Sequence, residues 1–230
     1  AKGKPQILSI VGESGSGKTT LARMILRLMQ PSSGEIVIDG LSTVGRLRGA
    51  QLREFRRRVQ PIFQNPFESF SSRKTVDTYL FETARNVWGA KSKKAAHEAV
   101  DQALVNVGLS AERVIGRYPN QFSGGELQRV SVARAIIPHP ELLVADEPVS
   151  MIDASLRMNV VNLFKKLRDD FNINILYITH DLSTAYQIGD QIYMLYQGAV
   201  AEAGKTTQVI ENPKHPYVQL LIDSIPVPAP

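Results

Sequence analysis

Residues 7–20 read ILSIVGESGSGKTT, and this stretch decides the fold. A short run of β-branched and aliphatic residues at 7–11 leads directly into a segment at 12–19 that matches G-x-x-x-x-G-K-[ST] in full. The glycines let the backbone curve so that its N–H groups point at phosphate oxygens, and a following helix adds its positive dipole end. The stretch therefore predicts a strand, a phosphate-binding loop and a helix.

The loop predicts nucleotide contacts with distinct roles. Lys18 would reach the β- and γ-phosphates, and the hydroxyl of Thr19 would coordinate Mg²⁺. The residues expected to surround the phosphates of the nucleotide are Gly12, Glu13, Ser14, Gly15, Ser16, Gly17, Lys18, Thr19 and Thr20. The alternative, a glycine-rich turn with an incidental lysine, does not account for the position of the segment between a strand and a helix.

Outward from this unit, short apolar runs alternate with segments of helical periodicity. Strands are predicted at 7–11, 34–40, 59–64, 142–146, 173–179 and 192–196, and helices between them at 20–29, 46–58 and 156–171. This alternation predicts an α/β core with a parallel sheet. Residues 66–134 have few β-branched runs and show helical periodicity at 75–88 and 92–107, which predicts an inserted helical subdomain.

Two carboxylates follow one of these predicted strands, in LLVADEP at 142–148. Ligands of open α/β sheets bind at the carboxyl ends of the strands, where this pair lies. Asp146 would hold Mg²⁺, and Glu147 would orient and polarise the water that attacks the γ-phosphate.

Two further polar residues stand at strand ends. A single histidine is more often a surface or core residue, but His180 follows a third strand beside the nucleotide site and is a candidate hydrogen-bond donor to the γ-phosphate. Gln64 could bring its amide oxygen to Mg²⁺ or to the attacking water, or it could be an ordinary loop glutamine. The residues alone do not choose between these two readings of Gln64.

A second anion-binding segment is predicted at 122–126, FSGGE, ahead of a helical run at 127–137. Two glycines and a serine at a helix start expose several N–H groups. A plain Ser-Gly-Gly linker is the alternative. Since one nucleotide needs one phosphate cradle, a second cradle makes sense if it serves a nucleotide bound by another copy or a related subunit.

The phosphate loop, Gln64, the Ser-Gly-Gly segment, the Asp-Glu pair, Asp153 and His180 occur in one order, which resembles the ATP-binding-cassette (ABC) ATPases, the motor subunits of ABC transporters. The resemblance runs from about residue 7 to the C-terminus. It implies a P-loop NTPase with a RecA-like core at 1–65 and 135–230 and a helical signature subdomain at 66–134.

The same resemblance implies an Mg²⁺-dependent ATPase that works as a head-to-tail dimer with a second ATP-binding subunit. The residues expected to close over ATP on that other subunit are Ser123, Gly124, Gly125, Glu126 and Asp153. The catalytic residues that the resemblance implies are Glu147, Lys18, His180 and Gln64. It gives Gln64 the position of the loop that couples hydrolysis to the membrane partner. It gives His180 the position of the switch histidine, and the metal ligands would be Thr19, Gln64 and Asp146.

A narrower resemblance, to oligopeptide/dipeptide importers, lies in VGESGSGKTT, IFQNPFESF and the tail at 211–228, ENPKHPYVQLLIDSIPVP. It implies permease subunits as partners, an external solute-binding protein as an indirect one, and a peripheral position on the cytoplasmic face of the cell membrane. Some importers of this family carry sugars or metal ions, so the solute stays open.

The chain departs from the family pattern at a few positions. Glu126 stands where the family usually has Gln or another residue, and Phe122, Val149 and Met151-Ile152 replace commoner residues, but no catalytic group is lost. Eleven residues, none of them aromatic, precede Gly12. We therefore expect a fragment without the family's N-terminal β segment and its adenine-stacking aromatic residue, or a form that holds adenine otherwise.

Other classes of ATPase fit less well. Repair-type ABC ATPases place a coiled coil of hundreds of residues between the phosphate loop and the signature segment. Here only 103 residues separate Thr19 from Ser123. Translation-type ABC ATPases usually fuse two cassettes in one chain, whereas this sequence holds one set of motifs. A degenerate cassette, which binds ATP without hydrolysing it, conflicts with the presence of Glu147 and His180. A GTPase is disfavoured because the guanine-specific Asn-Lys-x-Asp motif is absent. A nucleic-acid-associated ABC ATPase remains the alternative.

Composition adds limits to these predictions. The absence of cysteine excludes disulfides and thiolate chemistry, and no apolar run approaches the ~20 residues of a membrane span. The net charge of +5 equals that of residues 46–58 alone, which hold six arginines and one glutamate. We expect one basic helical face there, solvated or near a membrane partner, and no nucleic-acid partner.

Overall fold

The computed structural model describes residues 3–42, 44–45 and 47–224. Within these ranges the strands are β1 Ile7–Val11, β2 Val37–Ile38, β3 Leu41–Ser42, β4 Val59–Ile62, β5 Leu142–Asp146, β6 Asn174–Thr179, β7 Gln191–Tyr196 and β8 Ala199–Lys205. Six of them form one sheet in the order β4-β5-β6-β1-β7-β8, in which the first five run parallel and β8 pairs antiparallel with β7. The prediction of an α/β protein with a mainly parallel sheet is confirmed.

Helices flank this sheet and fill the middle of the chain. The α-helices of the described part are α1 Lys18–Ile25, α2 Gly49–Arg58, α3 Val76–Thr83, α4 Lys93–Asn106, α5 Ala111–Val114, α6 Gly124–Ile136, α7 Ala154–Phe171, α8 Leu182–Ile188, α9 Thr206–Glu211 and α10 Pro216–Asp223. A π-helical turn, Ala84–Trp88, extends α3, and 3₁₀ turns lie at Pro66–Ser69 and Pro119–Gln121. None of the helices in the described ranges is long and apolar enough to cross a bilayer.

The strand register places four loops at one edge of the sheet. Val11 lies opposite Thr179, Ile178 lies opposite Asp146, and Ala145 lies opposite Ile62. Because these strands are parallel and end level with one another, the segments after β1, β4, β5 and β6 leave the sheet side by side. These are the segments that carry the predicted phosphate loop, Gln64, the Asp-Glu pair and His180.

Buried side chains connect the helical middle of the chain to the sheet. Leu80 of α3, Leu104 of α4 and Leu127 of α6 are fully buried and belong to one hydrophobic cluster with Ile62 and Leu143 of the sheet. Helix α6 packs against both β4 and α7. The division into a core at 1–65 and 135–230 and a helical subdomain at 66–134 stays a prediction.

Two predicted elements are shorter in the structure than expected. The helix predicted at 20–29 begins at Lys18 and ends at Ile25, because Arg27 turns left-handed (φ 59°) and the N–H of Leu28 bonds to the carbonyl of Arg23. The strand predicted at 34–40 is a hairpin of β2 and β3, joined by Asp39 and Gly40 with positive φ. Asp-Gly is a typical two-residue hairpin turn, so this signal was present in the sequence.

The basic segment forms α2, as expected, although Arg46 lies outside the described residues. Its arginines are not all solvated: Arg57 pairs with Glu54, and the mostly buried Arg58 pairs with Asp39 and Glu141. Part of the basic charge is therefore neutralised by contacts within the chain. The proline-rich residues 225–230 also lie outside the described part.

Candidate active site

The phosphate loop follows β1 without a break and packs tightly against β7. A Cβ atom on Gly12 would lie 2.3 Å from the carbonyl oxygen of Leu195 and 2.7 Å from Ser16 Oγ, so no side chain fits at this position. Gly17 has φ 99° and precedes the first residue of α1. The loop therefore needs glycine at both positions for reasons of space and backbone conformation.

Lys18 is the first residue of α1, and its side chain folds back over the loop. Its ammonium donates hydrogen bonds to the carbonyl oxygens of Gly12, at 2.6 Å, and Glu13, at 2.8 Å. Burial lowers the pKa of Lys18, while the carboxylates of Glu147 and Asp146 act in the opposite direction. A buried ammonium at the start of a helix suits an anion such as phosphate.

Asp146 ends β5 and lies next to the hydroxyl of Thr19, whose Oγ1 is 3.4 Å from its Oδ1. Burial raises the pKa of Asp146, and the hydroxyl of Thr19 and the charge of Lys18 only partly oppose this effect. A cation bound here would relieve the cost of burying the carboxylate. Carboxylate, hydroxyl and amide oxygens are hard ligands, so Asp146, Thr19 and Gln64 suit Mg²⁺.

Glu147 and His180 form a hydrogen-bonded pair. His180 Nδ1 lies 2.9 Å from Glu147 Oε1, and because a carboxylate only accepts, the ring nitrogen donates. Glu147 adopts a left-handed backbone (φ 49°), and its N–H bonds to the carbonyl of Ile178 on β6. The carboxylate is mostly buried, while 63% of the His180 side chain is exposed toward solvent.

A cleft of about 670 Å³ collects most of the predicted site residues. It is lined by Gly12, Glu13, Ser14, Gly15, Gly17, Lys18, Thr19, Thr20, Gln64, Glu147, His180 and Leu221. Asp146 borders an adjoining groove of about 750 Å³, which shares Thr19 and Gln64 with the cleft. The structure therefore brings together the phosphate loop, the candidate metal ligands and the Glu147–His180 pair.

The second cradle does not line this cleft. Gly124 packs on the backbone of Met151, whose carbonyl oxygen would lie 3.2 Å from an added Cβ, and Gly125 packs on Ile152. Ser123 and Asp153 are exposed, at the N-terminal ends of α6 and α7 respectively. These residues therefore form a separate surface of the same chain.

Ser123 and Glu126 cap α6 with reciprocal hydrogen bonds. Ser123 Oγ accepts from the N–H of Glu126, at 3.2 Å, while Glu126 Oε2 accepts from the N–H of Ser123 at 3.0 Å and from its hydroxyl at 3.1 Å. The guanidinium of Arg113 donates to Glu126 Oε1 at 2.8 Å and 2.5 Å. The hydrogen bonds from the backbone N–H of Ser123 and from the guanidinium of Arg113 lower the pKa of Glu126.

Sequence reasoning did not identify Tyr217 and Leu221 as neighbours of the site. Tyr217, on α10, accepts a 3.4 Å hydrogen bond from the N–H of Glu13, and its ring stacks on Tyr196 with centroids 4.2 Å apart. Leu221, one turn further along, lines the cleft itself. No signal in the sequence indicates a contact between the phosphate loop and a helix some 200 residues away.

The chain matches two protein-family models. Residues 3–150 match the model described as ABC transporter, and residues 201–230 match the model described as oligopeptide/dipeptide transporter, C-terminal region. Together the two models account for the phosphate loop, the Asp-Glu pair and the C-terminal tail.

Similar curated proteins cover nearly the whole chain. It is 41% identical to the oligopeptide transport ATP-binding protein AmiF of Streptococcus pneumoniae, over 99% of this chain and 73% of the relative. It is also 41% identical to OppF of Bacillus subtilis, which carries the same description, over 99% of this chain and 74% of the relative.

Solved structures show the same fold. The dimeric, post-hydrolysis structure of the ATP-binding cassette MJ0796, bound to ADP and Pi, has a TM-score of 0.76 and 28% identity, covering 90% of this chain and 88% of that one. CbiO1 from Clostridium perfringens, part of the ABC transporter complex cbiONQ, has a TM-score of 0.79 at 24% identity, over 90% and 80% of the two chains. The fold is therefore the P-loop fold of ABC ATPases. Sequence, fold and the cleft agree, and the chain belongs to the ABC transporter family, as one of its ATP-binding, ATP-hydrolysing subunits.

Proposed function

We propose that the chain is the motor subunit of an importer of oligopeptides, working at the cytoplasmic face of a membrane. The observation that carries the solute class is the match of residues 201–230 to the C-terminal region of oligopeptide/dipeptide transporters. The relatives named as oligopeptide transport proteins, AmiF and OppF, support it over nearly the full chain.

In this proposal the phosphate loop binds the triphosphate of ATP. Lys18 already lies inside the loop, where its ammonium bonds to two carbonyl oxygens. Phosphate oxygens are stronger acceptors than carbonyl oxygens, so the ammonium would exchange these partners for the β- and γ-phosphates. The N–H groups of residues 15–19 would supply the remaining donors.

Thr19, Asp146 and Gln64 would hold Mg²⁺ beside the phosphates. The cation would neutralise charge on the phosphate oxygens during transfer. Thr19 Oγ1 and Asp146 Oδ1 lie 3.4 Å apart, and burial raises the pKa of Asp146. Both observations fit a metal ligand set.

Glu147 would act on the attacking water. Its carboxylate lies in the cleft, held by the bond from His180 and by the bond of its own N–H to Ile178. As an acceptor it can align one proton of the water so that the oxygen faces the γ-phosphate. The second nitrogen of His180 would then be directed at the phosphate side of the cleft, as a hydrogen-bond partner of the γ-phosphate.

The second cradle would complete the site on another subunit. Ser123, Gly124, Gly125, Glu126 and Asp153 form a surface outside their own chain's cleft. The dimeric MJ0796 cassette, 30% identical with a TM-score of 0.76, supports a pairing of two copies. We propose a head-to-tail dimer of this chain, in which each cradle faces the partner's phosphate loop.

Attachment to the membrane would come from permease subunits. The 750 Å³ groove next to the cleft is lined by Gln64 and by the exposed ring of Phe63, so a segment docked there would contact the metal ligand set. An external solute-binding protein would deliver the peptide to the permeases. Gln64 would thereby link the partner to the nucleotide.

Uptake of a labelled oligopeptide by intact cells tests this proposal. Cells whose own copy carries Glu147→Gln are expected to lose uptake, while Glu98→Gln, a change at an exposed carboxylate of α4, should leave it unchanged. Permeases should copurify with both variants from detergent-solubilised membranes. Normal peptide uptake by cells whose Glu147→Gln protein no longer hydrolyses ATP would contradict the proposed solute class. Recovery of nucleic acid in place of permeases would favour the repair or translation alternative.

A further inference from the structure

We propose that Arg113 is a positioning residue that neutralises Glu126, so that the cradle at Ser123 can accept a phosphate from a second copy of this chain. This inference rests on the proposed function, because it assigns a partner's nucleotide to the cradle. It concerns a feature of this chain, a carboxylate placed within a site for an anion.

The carboxylate of Glu126 faces the cradle directly. Its Oε2 accepts from both the N–H and the hydroxyl of Ser123, at 3.0 Å and 3.1 Å. Only 17% of the Glu126 side chain is exposed, so little water screens its charge. A phosphate oxygen bonded to Ser123 Oγ would lie within roughly 6 Å of this carboxylate, given ordinary hydrogen-bond lengths.

Two costs follow for a bound phosphate. The first is repulsion between two anions across a short distance. The second is competition for a proton, because the hydroxyl of Ser123 has one hydrogen and now donates it to Glu126. Without compensation, the hydroxyl of Ser123 would stay bonded to the Glu126 carboxylate and would not bind the phosphate.

Arg113 supplies the compensation from the side away from Ser123. Two guanidinium nitrogens donate to Oε1, at 2.8 Å and 2.5 Å, and leave Oε2 facing Ser123. This contact withdraws charge from the carboxylate and orients it, so that it caps α6 while Ser123 turns to the phosphate. The Arg113 side chain is 58% exposed, so its loss should not open the core.

This contact joins α5 to α6, and its two residues are 13 positions apart in the chain. Glutamine at position 126 would keep the cap and carry no charge, so it would not need Arg113. This difference supplies a test in which charge and structure separate. If Arg113 had a purely structural role, replacing it would still weaken the dimer in a chain that carries glutamine at position 126.

The experiment measures ATP-dependent dimerisation by sedimentation velocity in the Glu147→Gln background, which we expect to bind ATP without hydrolysing it. Adding Arg113→Gln should weaken the dimer about tenfold at low salt and much less in high salt. Adding Glu126→Gln as well should restore the dimer to within about twofold of the background. Lys94→Gln removes the same charge from an exposed ion pair of α4 and serves as the matched control.

Each outcome decides between the claims. If the Glu147→Gln background binds ATP and stays monomeric, the proposed pairing of two copies fails. If it dimerises and Arg113→Gln has no effect, or if Glu126→Gln does not restore the loss, the role of Arg113 is overturned while the pairing stands. A circular dichroism spectrum and melting temperature unchanged by Arg113→Gln exclude misfolding as the cause.

Discussion

Among the proposed catalytic residues, Glu147 shows how the fold holds a single side chain in place. Its left-handed backbone costs an ordinary L-residue about 1 kcal/mol, which the N–H bond to Ile178 and the carboxylate bond to His180 offset. The strained turn directs the carboxylate into the cleft directly after a buried strand. Strain at such a position is typical of a functional site.

Replacing Glu147 with glutamine should separate binding from hydrolysis. The amide keeps the shape of the side chain but accepts a water proton poorly, so turnover should fall about 100-fold or more while ATP affinity stays within about threefold. Steady-state ATPase rates and fluorescent ATP titrations measure the two effects. Unchanged turnover in Glu147→Gln would remove Glu147 from the role of water-polarising residue.

Lys18→Ala should weaken nucleotide binding. The buried ammonium is the one lysine charge lining the cleft among the described residues, and its loss should reduce affinity for ATP about tenfold or more. The rise in melting temperature that ATP produces should shrink accordingly, because ligand stabilisation follows affinity. Lys94→Ala on α4 is the control, and normal ATP affinity in Lys18→Ala would place Lys18 away from the phosphates.

The sequence predicts some of these residues well and others not at all. The phosphate loop is contiguous, and its chemistry requires glycines and a lysine at set spacings, so residues 12–19 can be recognised without a structure. The sequence predicts that Glu147 and His180 lie near each other at one edge of the sheet, but it does not predict the hydrogen bond between them. The bonds of Arg113 to Glu126 and of Tyr217 to Glu13 depend on tertiary packing, for which the sequence holds no local signal.

Among the elements, α10 connects the C-terminal tail to the phosphate loop. Tyr217 is almost fully buried between Tyr196 and the loop, and Val218 beside it is fully buried in the cluster around β7. The tail that distinguishes oligopeptide importers in sequence is therefore an element that packs on the nucleotide site. Its helix was not predicted, because the segment is short and lies among prolines.

Truncating the Tyr217 side chain should undock α10. Tyr217→Ala removes a stacked, buried ring and should lower the free energy of unfolding by about 2–4 kcal/mol. Tyr217→Phe keeps the ring and loses one long hydrogen bond, so the loss should stay below about 1 kcal/mol. Urea denaturation measures both, and equal stability of the alanine variant and the parent would show that the helix does not pack as described.

The cap of α6 predicts a pH dependence of stability. The bonds from Ser123 and Arg113 lower the pKa of Glu126 in the folded chain, so its contribution to stability is present above the unfolded pKa of about 4.3 and is lost as pH falls through the lower folded value. Glu126→Gln should therefore be less stable than the parent by about 0.5–1 kcal/mol at pH 7. The two unfolding curves should converge below about pH 4. A constant difference from pH 7 to pH 3 would show that the charge of Glu126 is not responsible.

Element boundaries show where sequence patterns lose force. The apolar periodicity at 20–29 continues past Ile25, yet Arg27 turns left-handed and leaves Leu28 and Met29 exposed, so the pattern overestimates the helix. The sequence does not predict the edge strand β8, because its residues are largely exposed and lack a hydrophobic run. The parallel strands of the core were found, because burial on both faces makes them continuously apolar.

At the scale of the whole molecule, the two surfaces predicted to bind phosphate are separate. The cleft gathers the phosphate loop, Glu147 and His180, whereas Ser123 and Asp153 stand exposed on a surface that does not line it. Two surfaces of one chain that each contact the other copy generate a two-fold dimer with two equivalent sites. The proposed pairing would give each of the two predicted phosphate cradles a role.

Complementation between two inactive variants tests that claim most directly. Lys18→Ala disables the phosphate loop, Ser123→Arg disables the cradle, and each protein alone should hydrolyse ATP at a background rate. In an equal mixture, a mixed dimer joins the intact loop of one variant to the intact cradle of the other, and about a quarter of the wild-type ATPase rate should return. A mixture no more active than the two variants measured separately would contradict the shared site between two copies of this chain.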